Sequence, residues 1–236
     1  MRPNVLSISP YAVADVDAIH VSSTPAAGGI QALAIDGAFA SGGVATMDEH
    51  RQVFFTFAAD ESARTFIVRG TNRKGNLRVE AVAGGAATAT TVQGFSTVTE
   101  ILIDDDSAGA IEVGTATIVQ TDWFPLDYII SDFKVALSMV FSGALTPSFD
   151  VQVTLSNLLS PRGNDPQPTV NSWFGSEFGL IFPTANVQDH DTLVAVVADA
   201  TGNLAFPVRA IRLQSNQVFT VDPVIMEIVQ SGHTGR

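Results

Sequence analysis

Along most of the chain apolar side chains recur at every second position, the spacing of half-buried strands and not of helices. Arg51–Ala58 sets Val53, Phe55 and Phe57 on one face. Arg64–Thr71 sets Phe66 and Val68 on one side, with Thr65, Ile67 and Arg69 on the other. Leu77–Ala83 alternates Leu77, Val79 and Ala81 with Arg78, Glu80 and Val82. The loop Asn72-Arg73-Lys74-Gly75-Asn76 lies between the last two, so they predict a hairpin with Gly75 free to take positive φ. Pairing of Arg69 or Arg78 with Glu80 or a neighbouring acid is then expected as ordinary surface chemistry.

Further strands are predicted over Ile30–Ile35, Phe95–Ile103 and Ala110–Ile118. They are separated by turn signals at Asp36-Gly37, Ser41-Gly42-Gly43, Asp60-Glu61-Ser62 and Asp104–Gly109. Gly84–Thr91, rich in small residues, reads as a loop. Composition changes near Thr121–Leu126, and a second set follows: Phe133–Phe141, Phe149–Leu155, Leu193–Ala198, Val208–Leu213 and Gln217–Val229. The prolines of Ser160–Pro168 make that stretch a loop, and Asp199–Asn203 reads as a turn. No strict internal period and no convincing helix is present.

The pattern predicts an all-β protein of two tandem β-sandwich or jelly-roll-like domains. Residues 1–27 are expected as an extended N-terminal arm, 28–120 as the first β domain and 121–236 as the second. One continuous sandwich with insertions is the rival arrangement. Such an arm can reach across a subunit boundary, and a frayed terminus is the equal alternative.

Charge changes the picture. Of 236 residues 46% are hydrophobic and only 15% charged, low against the roughly 25% of ordinary soluble domains. So few charges suit a surface covered by other copies or by a partner, so a homo-oligomer is expected. With 12 Lys and Arg against 24 Asp and Glu, the net charge of −12 argues against direct nucleic-acid binding. There is no cysteine, hence no disulfide and no thiol chemistry. The start of the chain lacks the apolar run of a signal peptide, and Leu193–Ala198 is too short to span a bilayer. A soluble protein made in the cytoplasm, without membrane contact, is expected.

Candidate chemistry is sparse. His20, His50, His190 and His233 form no paired metal-binding spacing. Asp189-His190-Asp191 contains ligand types, yet neighbours on a strand face opposite ways, so a polar loop is the simpler reading. Asp104-Asp105-Asp106 could supply oxygens to calcium, but the DxDxDG loop with its later Glu is missing, which favours a solvated turn. No nucleophile elbow, Walker loop or dinucleotide-binding glycine motif occurs. No catalytic residue, cofactor or metal ligand is therefore assigned. Trp123 with Phe124 and Trp173 with Phe174 are candidate interface anchors, with core packing as the alternative.

Several phrases carry a resemblance. They include Ser23–Gly29, Ala38–Thr46, Arg64–Asn72, Phe95–Thr99, Phe149–Leu155 and Gly202–Leu213. In these the chain resembles virion structural proteins of tailed bacteriophages. The resemblance implies a non-enzymatic coat subunit, found in the virion and made in the host cytoplasm. A capsid decoration, or cement, protein bridging major capsid proteins is the leading expectation. A neck or tail component (tube, adaptor or fibre attachment) is the alternative, and a carbohydrate-binding receptor protein a more distant one.

Overall fold

The computed structural model describes residues 4–127, 133–141, 148–155, 187–219 and 223–231. Among the described residues there is no helix, and the chain is all-β. Among them no helix is long and apolar enough to cross a membrane.

The strands are β1 (Asn4–Ile8), β2 (His20–Ser23), β3 (Gln31–Leu33), β4 (Ala40–Ser41), β5 (Val44–Phe57), β6 (Thr65–Thr71), β7 (Leu77–Ala83) and β8 (Thr88–Ile103). They continue with β9 (Ile111–Gln120), β10 (Phe124–Pro125), β11 (Lys134–Val140), β12 (Phe149–Thr154), β13 (Val187–Asp189), β14 (Ala200–Leu204), β15 (Ala210–Ser215) and β16 (Val224–Ser231).

Two compact units divide the chain. One is contiguous through residues 13–117. Its strands run in the order β9-β5-β8-β6-β7, with β2 beside β9, β3 beside β8 and β4 beside β5. The predicted hairpin is present: β6 and β7 are antiparallel in unbroken register from Thr65↔Ala83 to Thr71↔Leu77. The core gathers Val53, Phe55, Phe57, Phe66, Val68, Phe95, Val98, Ile101, Ile103, Ile111 and Val113. Phe57 and Phe66 stack with centroids 5.4 Å apart. Gly114 is obligatory, because a Cβ there would lie 1.8 Å from the carbonyl oxygen of Asp15.

The other unit is split in sequence, joining residues 4–12 to described residues from 118 onward. One sheet has the order β1-β16-β11-β14. The other joins β13, β12, β15 and the last residues of β9, with β10 on β15. Alternating side chains of both sheets meet in one apolar layer, including Ile8, Val135, Leu137, Met139, Phe149, Val151, Ile211, Leu213, Met226 and Ile228. Two antiparallel sheets sharing such a layer is the packing a sandwich requires.

The segment 1–27 expected as one free arm is divided differently. Asn4–Ile8 pairs antiparallel with β16, from Asn4↔Ile228 to Ile8↔Val224. Tyr11 is buried and its hydroxyl donates to the carbonyl of Gln217 at 2.7 Å. His20–Ser23 is a strand against β9. The apolar Ile8 and Tyr11 find partners in the split unit's core, a stronger draw than solvent. The boundaries thus fall near 12 and 118, where 27 and 120 were expected.

Three local expectations also differ. Asp199–Asn203, read as a turn, is mostly the edge strand β14, where Gly202 and Asn203 are tolerated because only β11 pairs with it. Leu193–Ala198, read as a strand, makes only the isolated bridge Val196↔Phe149. The small-residue stretch Gly84–Thr91 is strand from Thr88 onward.

Candidate functional site

A cluster of buried ionisable side chains lies where β5 and β8 fall out of step. Thr46↔Thr97 is followed by Arg51↔Phe95, so β5 advances five residues while β8 advances two. Then Gln52↔Gly94 is followed by Phe54↔Thr90, so β8 advances four while β5 advances two. Each strand therefore carries a bulge, one near 47–50 and one near 91–93. A bulge lifts backbone N–H and C=O groups off the ladder, and a buried group left unmet costs about 1–3 kcal/mol.

Side chains meet those groups. Glu80 accepts the backbone N–H of Val92 at 2.5 Å and of Gln93 at 2.9 Å. Thr91 Oγ1 accepts the N–H of Val53 at 2.9 Å and donates to the carbonyl of Gln93 at 2.8 Å. Gln52 Nε2 donates to the carbonyl of Val92 at 3.2 Å. Arg78 donates to the carbonyl of Gly94, and its Nη1 stands 2.7 Å from His50 Nε2. Gly94 permits this approach: a Cβ there would lie 2.8 Å from His50 Nδ1.

The β5 side is tied in the same way. Arg51 is fully buried and donates through Nε and Nη2 to the carbonyl of Ala116 at 3.3 and 3.0 Å. Its Nη1 lies 3.2 Å from Asp48 Oδ1. Glu49 pairs with Arg73 at 2.8 Å.

This arrangement corrects the surface placement expected for Arg78 and Glu80. Both are buried, while Leu77 opposite them is 61% exposed. The bulges supply the reason, since they turn unmet backbone groups towards β7 and only a strand with a strong donor and acceptor can meet them. Arg69 does pair near the surface, but with Glu100 at 2.6 Å. Alternation in Leu77–Ala83 shows two faces without saying which is inward. Gly94 stood just ahead of the predicted strand Phe95–Ile103; only within the longer β8 does it become an interior glycine that marks a bulge or a close approach.

Chemically the network is spent on its own backbone. Both Glu80 oxygens hold amide groups, and His50, Arg51, Arg78 and Glu80 are each withdrawn from solvent.

The other candidate residues have separate places. Asp104 accepts the N–H of Thr65, Asp105 that of Gly29, and Asp106 that of Gly28 together with Gln31 Nε2. The three carboxylates thus fasten two other stretches of chain, at 28–31 and at Thr65, and two backbone amide groups hold Asp105 below the usual carboxylate range. His190 is buried; Nε2 faces the carbonyl of Asn203 at 3.1 Å and Nδ1 accepts from the N–H groups of Thr192 and Leu193. Asp189 accepts from Gln152, so the Asp189-His190-Asp191 trio does not converge. His20 bridges Asp36 at 3.0 Å and Ser23 at 2.9 Å. Among the described residues no group of three or more His, Asp or Glu is arranged to hold a metal ion.

Trp123 is buried within its own chain, with the Arg212 guanidinium 4.5 Å from its ring centroid. Arg212 also donates to Gln152 Oε1 at 2.8 Å and to Gln120 Oε1. Trp123 accordingly packs internally, the alternative weighed beside its role as an interface anchor, and burial strengthens the attraction of the cation to its face. Phe124 is partly buried against the same unit's core. Trp173, Phe174 and His233 lie outside the described residues.

No known protein family, curated protein or solved structure matches this chain.

Proposed function

We propose that this chain is a structural subunit of a tailed-bacteriophage particle, foremost a capsid decoration subunit that binds capsid proteins and further copies of itself. One observation carries the assembly part of the reading. The outward face of sheet β1-β16-β11-β14 presents Val5, Val140 and Val229, each at least 40% exposed, beside Ala136, Ser138 and Thr201. Its charged side chains among the described residues are Lys134 and Glu227 alone. A sheet face so poor in charge gains by being covered, at roughly 25 cal/mol per Å² of apolar area. The phage assignment itself rests on the sequence phrases that resemble virion proteins. The inward commitment of the ionisable network favours architecture over chemistry.

The test is to purify particles from the source of this sequence and count copies of the chain by quantitative mass spectrometry and cryo-microscopy. A decoration subunit gives a copy number in fixed proportion to the capsid protein, and a low ring number gives a neck or tail component. Absence from purified particles overturns the reading. Val140→Asp and Val229→Asp should reduce incorporation while leaving the isolated chain folded.

A further inference from the structure

We propose that His50 is a proton-operated latch on the paired bulges. Neutral His50 accepts a hydrogen bond from Arg78 and so helps hold β7 over the bulge of β8; protonated His50 releases it. The contact between Arg78 Nη1 and His50 Nε2 is 2.7 Å. A guanidinium carries donors only and keeps its proton throughout the working pH range. Nε2 must therefore bear the lone pair, and the ring proton sits on Nδ1. An imidazolium has N–H on both nitrogens, so protonation turns this contact into donor against donor and cation against cation. Exposures of 1% for His50 and 3% for Arg78 leave neither side chain room to swing into water while β7 stays in place.

The charged groups around His50 come from β5, β7 and the loop before β7. β5 brings Asp48, Glu49 and Arg51; the β6–β7 loop brings Arg73; β7 brings Arg78 and Glu80. The β8 bulge contributes Thr91, Val92, Gln93 and Gly94, all uncharged. Asp48 is engaged by Arg51, Glu49 by Arg73, and Glu80 by two amide groups. Three carboxylates thus stand beside three guanidiniums, and a proton on His50 adds a fourth positive charge to the cluster. The Arg69–Glu100 pair lies on the other face of β6, because Arg69 opposes Val79. Glu112 of β9 interacts with Asp17.

β7 is an edge strand that pairs only with β6, so Arg78 and Glu80 are its polar ties to the bulge. The folded arrangement fits neutral His50, whereas an opened chain lets the imidazole take a proton freely. The tie is therefore complete above the ordinary imidazole range of about 6.5 and is lost as pH falls below it. The β5–β8–β6 ladder does not depend on His50 and should persist, so the opening is local.

The full chain tests this directly. Long-range 1H–15N correlation spectra at pH 7.5 should show His50 protonated at Nδ1 only; a proton on Nε2 overturns the proposal. Hydrogen exchange at pH 7.5 and 5.5, corrected for intrinsic rates, should show about a tenfold or greater loss of protection at Val92, Gln93 and β7, with β6 unchanged. His50→Gln keeps an acceptor that does not titrate and should abolish that response. Equal protection at both pH values in the native chain, or an undiminished response in H50Q, overturns the latch. Should H50Q not fold, the tautomer and the native exchange data decide the matter alone.

Discussion

Asp150 Oδ1 accepts the backbone N–H of Ala195 at 2.7 Å, and Ala195 is the one non-glycine residue with positive φ (52°) among the described residues. The two residues mark how the edge beside β12 is finished. After β13 the chain touches β12 only at intervals: His190 donates to Val151, Val151 to Leu193, and Val196 exchanges bonds with Phe149. Between these contacts it swells twice, and the side chains of His190 and Asp150 take up the displaced N–H groups. A swollen edge is a poor template for a foreign strand. Ala195→Gly should raise stability by about 0.5–1 kcal/mol by relieving the left-handed conformation. Asp150→Ala also loses Asn216 and should cost about 1–3 kcal/mol. Urea denaturation of the two variants checks both signs.

Glu80→Ala should be among the most damaging single changes in the contiguous unit. It strands two partly buried N–H groups that now bond a carboxylate, at a cost of about 1–3 kcal/mol. Glu80→Gln keeps an acceptor and should fall between Ala and the native residue. Thermal melts followed by near-ultraviolet circular dichroism rank the three.

Removal of residues 1–12 should unfold the split unit, because it deletes β1 and the buried Tyr11. Tyr11→Phe is the milder test, costing about 1 kcal/mol for the bond to Gln217. A cooperative transition preserved in full after the truncation would show that the segment is an appendage after all.

Asp36 supplies a test in acid. The backbone N–H of Val21, aided by His20, holds its carboxyl below the usual carboxylate range. A depressed folded value means the unfolded chain binds the proton more readily. The contribution is therefore present above about 3.8 and lost as pH falls through the folded value. Asp36→Asn should flatten that part of the acid-stability curve, with a small amplitude because the group is half exposed.

The strand pattern and the β6–β7 hairpin were legible because alternation and a glycine-bearing loop act locally. Which face of β7 is inward was not: Leu77, Val79 and Ala81 look like the core side, and only the distant bulges of β5 and β8 make Arg78 and Glu80 the buried ones. The destination of residues 4–11 was hidden for a similar reason, since their partners lie more than 200 positions away. The apolar run Leu193–Ala198 misled because it meets β12 only at Leu193 and Val196, while side chains take the N–H groups of Leu193 and Ala195. The interior role of Trp123 became visible only with Arg212 above it.

The pairing of Asn4–Ile8 with Val224–Ile228 gives the two units different histories on the ribosome. Everything described in the contiguous unit has been synthesised once residue 117 emerges, so that unit can fold while the rest is still being made. The opening strand must wait, unpaired, for a mate that arrives some 220 residues later. Translation thus holds this early strand in reserve, to be used after the unit that follows it.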